Sequence, residues 1–128
     1  LAVNCPSCVN SATQYAGIAA LEGPQDAVDR MVSAFDQRRR LIVKGLNDLP
    51  GIHCCTPAGA FYAFPNISAT GFTAKTLQDR LLEDAGVATV AGTSFGAMGE
   101  GYIRFSYANS IENIERALHR VEDLLELT

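Results

Sequence analysis

Apolar and polar positions alternate along this chain in two periods, helical in its first half and mixed with strand-like runs thereafter. Between Pro24 and about Leu49, residues Val28, Met31, Val32, Phe35, Ile42, Leu46 and Leu49 recur at helical spacing and predict one long amphipathic helix. Pro24 suits a first helical position, Asp26 and Asp29 complement the dipole there, and Pro50-Gly51 ends the run. Ahead of it, Ser11 is placed to cap a shorter helix that reaches Leu21 before Gly23-Pro24 breaks it. After it, Gly59 to Phe64 predicts a short strand closed by Pro65. Thr73 then caps a helix from Ala74 to Asp84 or Ala85, with Leu77, Leu81 and Leu82 inward and Gly86 as its stop. Val87–Ala91 and Tyr102–Tyr107 supply two more strands. Ser110 caps a last helix that presents Ile111, Ile114, Leu118, Val121, Leu124 and Leu125 on one face, with Glu112 and Glu115 near its start.

This order predicts an α+β fold: a small sheet of about three short strands packed against helices, with a long N-terminal connecting helix. The apolar stripe of that helix asks for more partner surface than three short strands provide, which points to a neighbour outside this stretch. Neither an internal repeat nor a low-complexity segment is visible.

Composition narrows the class. The chain's 128 residues make about one domain, and a net charge of −4 leaves no electrostatic footprint for nucleic acid or an anionic membrane. No apolar run approaches the ~20 residues of a membrane span, and no basic-then-apolar leader opens the sequence. A cytoplasmic protein is the simplest reading. Cys5 and Cys8 form a C-x-x-C, and Cys54 and Cys55 are vicinal with His53 beside them. Zinc sites space paired ligands by two to four residues, so adjacency argues for ordinary thiols and against a metal. Arg38, Arg39 and Arg40 fan around more than half a helix turn and cannot converge on one anion, which makes them a solvated face.

The stretch that carries chemistry runs from Gly92 to Ala108. It holds Gly92, Gly96, Gly99 and Gly101, then an apolar strand with Arg104 at its middle. A buried guanidinium is costly unless something anionic meets it. Its partner is either an acid of this chain, such as Glu100 or Glu83, or an anion from outside.

These residues resemble the C-terminal part of a class I/II, fold type I, pyridoxal-phosphate-dependent aminotransferase of the aspartate aminotransferase kind. The matching pieces are Ser11-Ala-Thr-Gln14 with Ala19-Ala-Leu21, Pro57-Ala-Gly59-Ala-Phe61-Tyr62-Ala-Phe64-Pro65 and Leu81-Leu-Glu-Asp-Ala-Gly86-Val87. Gly92-Thr-Ser-Phe95-Gly96 and Gly99-Glu-Gly101-Tyr102-Ile103-Arg104-Phe105-Ser106-Tyr107-Ala108 complete them. Ala91 departs from the pattern, since relatives commonly carry proline there. The resemblance implies that Arg104 grips the α-carboxylate of an amino acid or 2-oxo acid substrate. It implies pyridoxal 5'-phosphate as cofactor of the complete enzyme, a homodimer, and a cofactor lysine upstream of Leu1. Lys44 and Lys75 fall in no cofactor motif, so no catalytic or cofactor-binding residue is assigned within this segment. On this reading residues 1–23 are the remnant of a connection from a large domain and residues 24–128 the small domain, inactive alone. Two alternatives stay open beside it. One is a ferredoxin-like ligand-sensing or interaction domain. The other is an RNA-recognition module, which the acidic charge disfavours.

Overall fold

A computed structural model describes residues 8–127. Helix α1 spans Ser11–Glu22 and α2 spans Asp26–Asp48. Strand β1 is Tyr62–Ala63, α3 is Ala74–Glu83, β2 is Val90–Ala91, β3 is Ile103–Ser106 and α4 is Ile111–Glu126. Single turns of 3₁₀ helix occupy Ser68–Thr70, Gly92–Phe95 and Ala97–Gly99. Among the described residues, four α-helices and a small antiparallel sheet make the α+β fold expected, in the expected order. The chain divides into two compact units at Val32/Ser33.

The first unit is helical. Asn10, and not Ser11, caps α1: its Oδ1 accepts from the amide of Thr13 at 2.8 Å, the orphan donor a cap must satisfy. No residue of α1 is buried. Helix α2 begins two residues later than its sequence suggests, because Pro24 stays outside and Gln25 occupies the turn, its side-chain amide donating to the carbonyls of Ala20 and Gly23.

In the second unit β3 is central, with β1 and β2 paired antiparallel on either side. The register sets Ala63 opposite Phe105 and Ala91 opposite Ile103. Those four buried side chains line one face of the sheet, since strand side chains alternate with period two. Against that face the core gathers Ile42 and Leu46 of α2, Leu77 and Leu81 of α3, and Ile114, Val121 and Leu124 of α4. Gly45 lets α2 and α4 approach closely, for a Cβ there would stand 2.3 Å from Cδ1 of Leu118.

Several local expectations are corrected. Leu82 points to solvent, 55% exposed, because it follows inward-facing Leu81 and is rotated by about 100° around the helix. Ile111 is likewise exposed. Strands β1 and β2 hold two residues each. Ala60 takes a left-handed φ of 61°, which stops β1 from extending back to Gly59. Of the three arginines, Arg39 is not free in solvent: it pairs with Asp36 and donates to the carbonyl of Pro57 at 3.2 Å.

Candidate functional site

Arg104 does not enter the core. Ile103 and Phe105 occupy the buried face of β3, so Arg104 falls on the opposite one, half-buried and directly across from Val90 of β2. Tyr62 of β1 pairs with Ser106 and therefore shares Arg104's face. The guanidinium carbon lies 4.2 Å from the centroid of the Tyr62 ring and 4.6 Å from that of Phe95. Both distances are within the range of cation–π attraction.

More aromatic surface adjoins this pair. Phe64 stacks on Tyr102 at 5.5 Å with an interplanar angle of 11°, and meets the edge of Phe95 at 6.0 Å. Phe64, Phe95 and Met98 are exposed, at 41%, 56% and 94%. The face carrying Arg104 is thus an open apolar rim around one cation.

Neither acid named beforehand neutralises it. Among the described residues no carboxylate lies within ion-pairing distance of Arg104, and no side-chain hydrogen bond of Arg104 is formed. Glu100 is committed elsewhere: its Oε1 accepts from the amide of Ala74, the first residue of α3, at 2.8 Å and from that of Gly101 at 3.1 Å. Rings cover a guanidinium but do not satisfy its in-plane N–H donors. A planar fork with free donors is the group that matches a carboxylate bidentately.

The glycine loop places Phe95 beside this fork. Gly92 and Gly99 touch backbone to backbone, and a Cβ on Gly92 would meet the carbonyl oxygen of Gly99 at 2.1 Å. The Gly92 amide donates to the carbonyl of Tyr102 at 2.8 Å, tying the loop to the strand that follows. Just before Gly92, the Ala91 amide donates to Oε1 of Gln78 at 2.8 Å. A proline at Ala91 would have no N–H to make this bond.

Sequence reasoning isolated Arg104 but missed Tyr62 and Phe95. Period two would have set Tyr62 and Phe64 on one face, whereas nothing in the loop's sequence aims Phe95 at the strand. The cysteines are ordinary in placement: Cys54 is buried, and Cys8 and Cys55 are exposed. Cys5 lies outside the described residues. No group of three potential metal ligands stands together among those described.

A family model described as aminotransferase class I and II matches residues 2–121. The chain is 47% identical over 120 residues to an aspartate aminotransferase of Pyrococcus horikoshii, covering 92% of this chain and 31% of that protein. It is 39% identical over 122 residues to aromatic-amino-acid aminotransferase 2 of Thermococcus litoralis, covering 94% and 31%. Among solved structures, an aromatic aminotransferase from Pyrococcus horikoshii superposes with a TM-score of 0.84 at 43% identity, over 89% of this chain and 31% of that one. An alanine aminotransferase from Pyrococcus furiosus gives 0.89 at 36% identity, over 94% and 31%. This chain belongs to the class I and II aminotransferase family, whose members depend on pyridoxal phosphate. It spans just under a third of the length of the curated relatives it matches.

The described residues do not themselves fit that cofactor. A Schiff base calls for a lysine amine held free of a permanent partner, next to a phosphate cradle. Lys44 and Lys75 instead sit on exposed helix faces and pair with Asp48 and Asp79 one turn on. No residue of this chain is therefore assigned to hold the cofactor.

Proposed function

We propose that this chain is the substrate-carboxylate-binding small domain of a pyridoxal-phosphate-dependent aminotransferase, which moves an amino group between an amino acid and a 2-oxo acid. Residues 24–128 form that domain and residues 1–23 the connection to the cofactor-bearing part. The enzyme is a cytoplasmic homodimer, and the segment alone is inactive. One observation carries the reading: Arg104 offers a fork flanked by two rings, with no acid paired to it among the described residues. The relatives are named for aspartate, aromatic and alanine substrates, so the carboxylate common to all amino acids is what this residue recognises. No described helix is long and apolar enough to cross a membrane.

The test is substitution at Arg104 in the complete enzyme. Arg104→Ala removes charge and fork together, while Arg104→Lys keeps only the charge. Truncating one side of such a pair costs about 2–5 kcal/mol, hence about 30- to 4,000-fold in kcat/KM, with lysine between alanine and wild type. Cofactor absorbance is expected to survive, because the residue holds substrate and not the cofactor ring. A kcat/KM within about threefold of wild type in Arg104→Ala would overturn the carboxylate role.

A further inference from the structure

On the other side of the sheet, away from Arg104, a cavity of about 280 Å³ opens between α4, the Gly86–Ala88 turn and the end of β3. That volume is near the lower end for small-molecule sites. Its floor is apolar, made by Ile42, Val87, Phe105 and Ile114. Its rim carries two cations, Arg116 and Arg120, one helical turn apart on α4. The lining includes no aspartate or glutamate, although the chain as a whole is acidic.

Both guanidiniums donate to neutral acceptors. Arg116 donates to Oδ1 of Asn113 at 2.9 Å, and Nδ2 of Asn113 donates in turn to Oδ1 of Asn109 at 2.8 Å. Arg120 donates to the carbonyl of Ala85 at 3.4 Å, close beside Gly86, where an added Cβ would come within 3.2 Å of its Nη1. Among the described residues neither arginine has a carboxylate within ion-pairing distance. Neutral acceptors orient a guanidinium without cancelling its charge, and each keeps donors to spare. Elsewhere in the chain Arg39, Arg40, Lys44, Lys75 and Arg80 all find an acid within about one turn along the chain.

We propose that this cavity binds a small carboxylic acid with an apolar body, aromatic or branched aliphatic. The carboxylate bridges Arg116 and Arg120, and the hydrocarbon lies on Val87, Phe105 and Ile42. Two oriented forks supply direction and charge, while the floor supplies the burial that a bare inorganic anion cannot use. The site is separate from Arg104 and independent of the amino-transfer reading.

The experiment titrates the complete enzyme, isotopically labelled in this segment, with benzoate, with benzamide as the neutral isostere and with inorganic phosphate, followed by NMR. Benzoate is expected to shift the Arg116 and Arg120 side-chain resonances and the amides of Val87 and Phe105 saturably. A Kd of about 1 mM or tighter suits a ligand of this size. Benzamide and phosphate should each bind at least about tenfold more weakly. Arg116→Gln and Arg120→Gln, each made singly and checked for unchanged dispersion elsewhere, should weaken benzoate by a similar factor. Arg104→Ala should leave these shifts intact. The proposal fails if no shift saturates by about 20 mM benzoate, well above the expected Kd. It fails equally if benzamide or phosphate binds as well, or if Arg104→Ala abolishes the response.

Discussion

Cys54 and Cys55 are neighbours in sequence with different chemistry. Burial pushes the Cys54 thiol up, since the thiolate would lose its hydration; a backbone hydrogen bond from Phe64 offsets this only in part. A folded pKa above the unfolded one means that the native state holds its proton longer. The associated stability is present below the unfolded value of about 8.5 and is lost as pH rises through the folded one. Tyr107 acts in the same sense at higher pH, its buried hydroxyl donating to the carbonyl of Ala60 at 2.9 Å. Because only the thiolate reacts, alkylation of the native chain near pH 8 should label Cys55 and Cys8 and spare Cys54 until denaturant is added. Peptide mapping by mass spectrometry reads this directly, and equal labelling of Cys54 and Cys55 would contradict it. At this scale the sequence marked Arg104 correctly as a cation in an apolar strand. Its position away from the core follows from register, which depends on pairing partners more than forty residues away, at Tyr62.

The elements were legible where a local cause sets them. Thr73 and Ser110 cap α3 and α4 as expected, their side chains accepting from Thr76 and Asn113 amides, because a hydroxyl before an apolar period needs no distant partner. The strands came out shorter than their β-branched and aromatic runs suggest. Their ends are set by backbone events such as the left-handed Ala60 and by the 3₁₀ turn at Gly92, which have no signature in residue type. Glu100 is the clearest long-range device. One carboxylate oxygen satisfies an orphan donor at the start of α3 and a loop amide at Gly101, joining segments 26 residues apart. Glu100→Ala is expected to cost about 1–2 kcal/mol, read as a lower midpoint in urea with an unchanged m-value. Glu100→Gln keeps an acceptor at the same reach and should recover most of the loss. A neutral Glu100→Ala would show that water replaces the carboxylate without cost.

For the molecule as a whole, the apolar pattern gave the order of elements but left open what covers its first unit. Helix α1 carries Tyr15, Ile18 and Leu21 at 75%, 51% and 84% exposure and buries nothing. At the start of α2, Val28, Met31 and Val32 are 44%, 54% and 59% exposed, whereas Ile42 and Leu46 of the same helix are in the core. A helix apolar on most of its circumference is stable in water only when something else covers it. An uncovered surface of this kind drives association. The chain alone should therefore self-associate, its weight-average mass in sedimentation rising with concentration. Met31→Lys combined with Val32→Ser places a charge and a hydroxyl in the middle of this stretch and should shift the equilibrium toward monomer. Circular dichroism should stay unchanged, because neither side chain belongs to the core. A wild-type chain that stays monomeric at the highest attainable concentration would mean that these side chains tolerate water unaided. The case for an external partner to this face would then lapse, while the assignment of Arg104 on the other unit would stand.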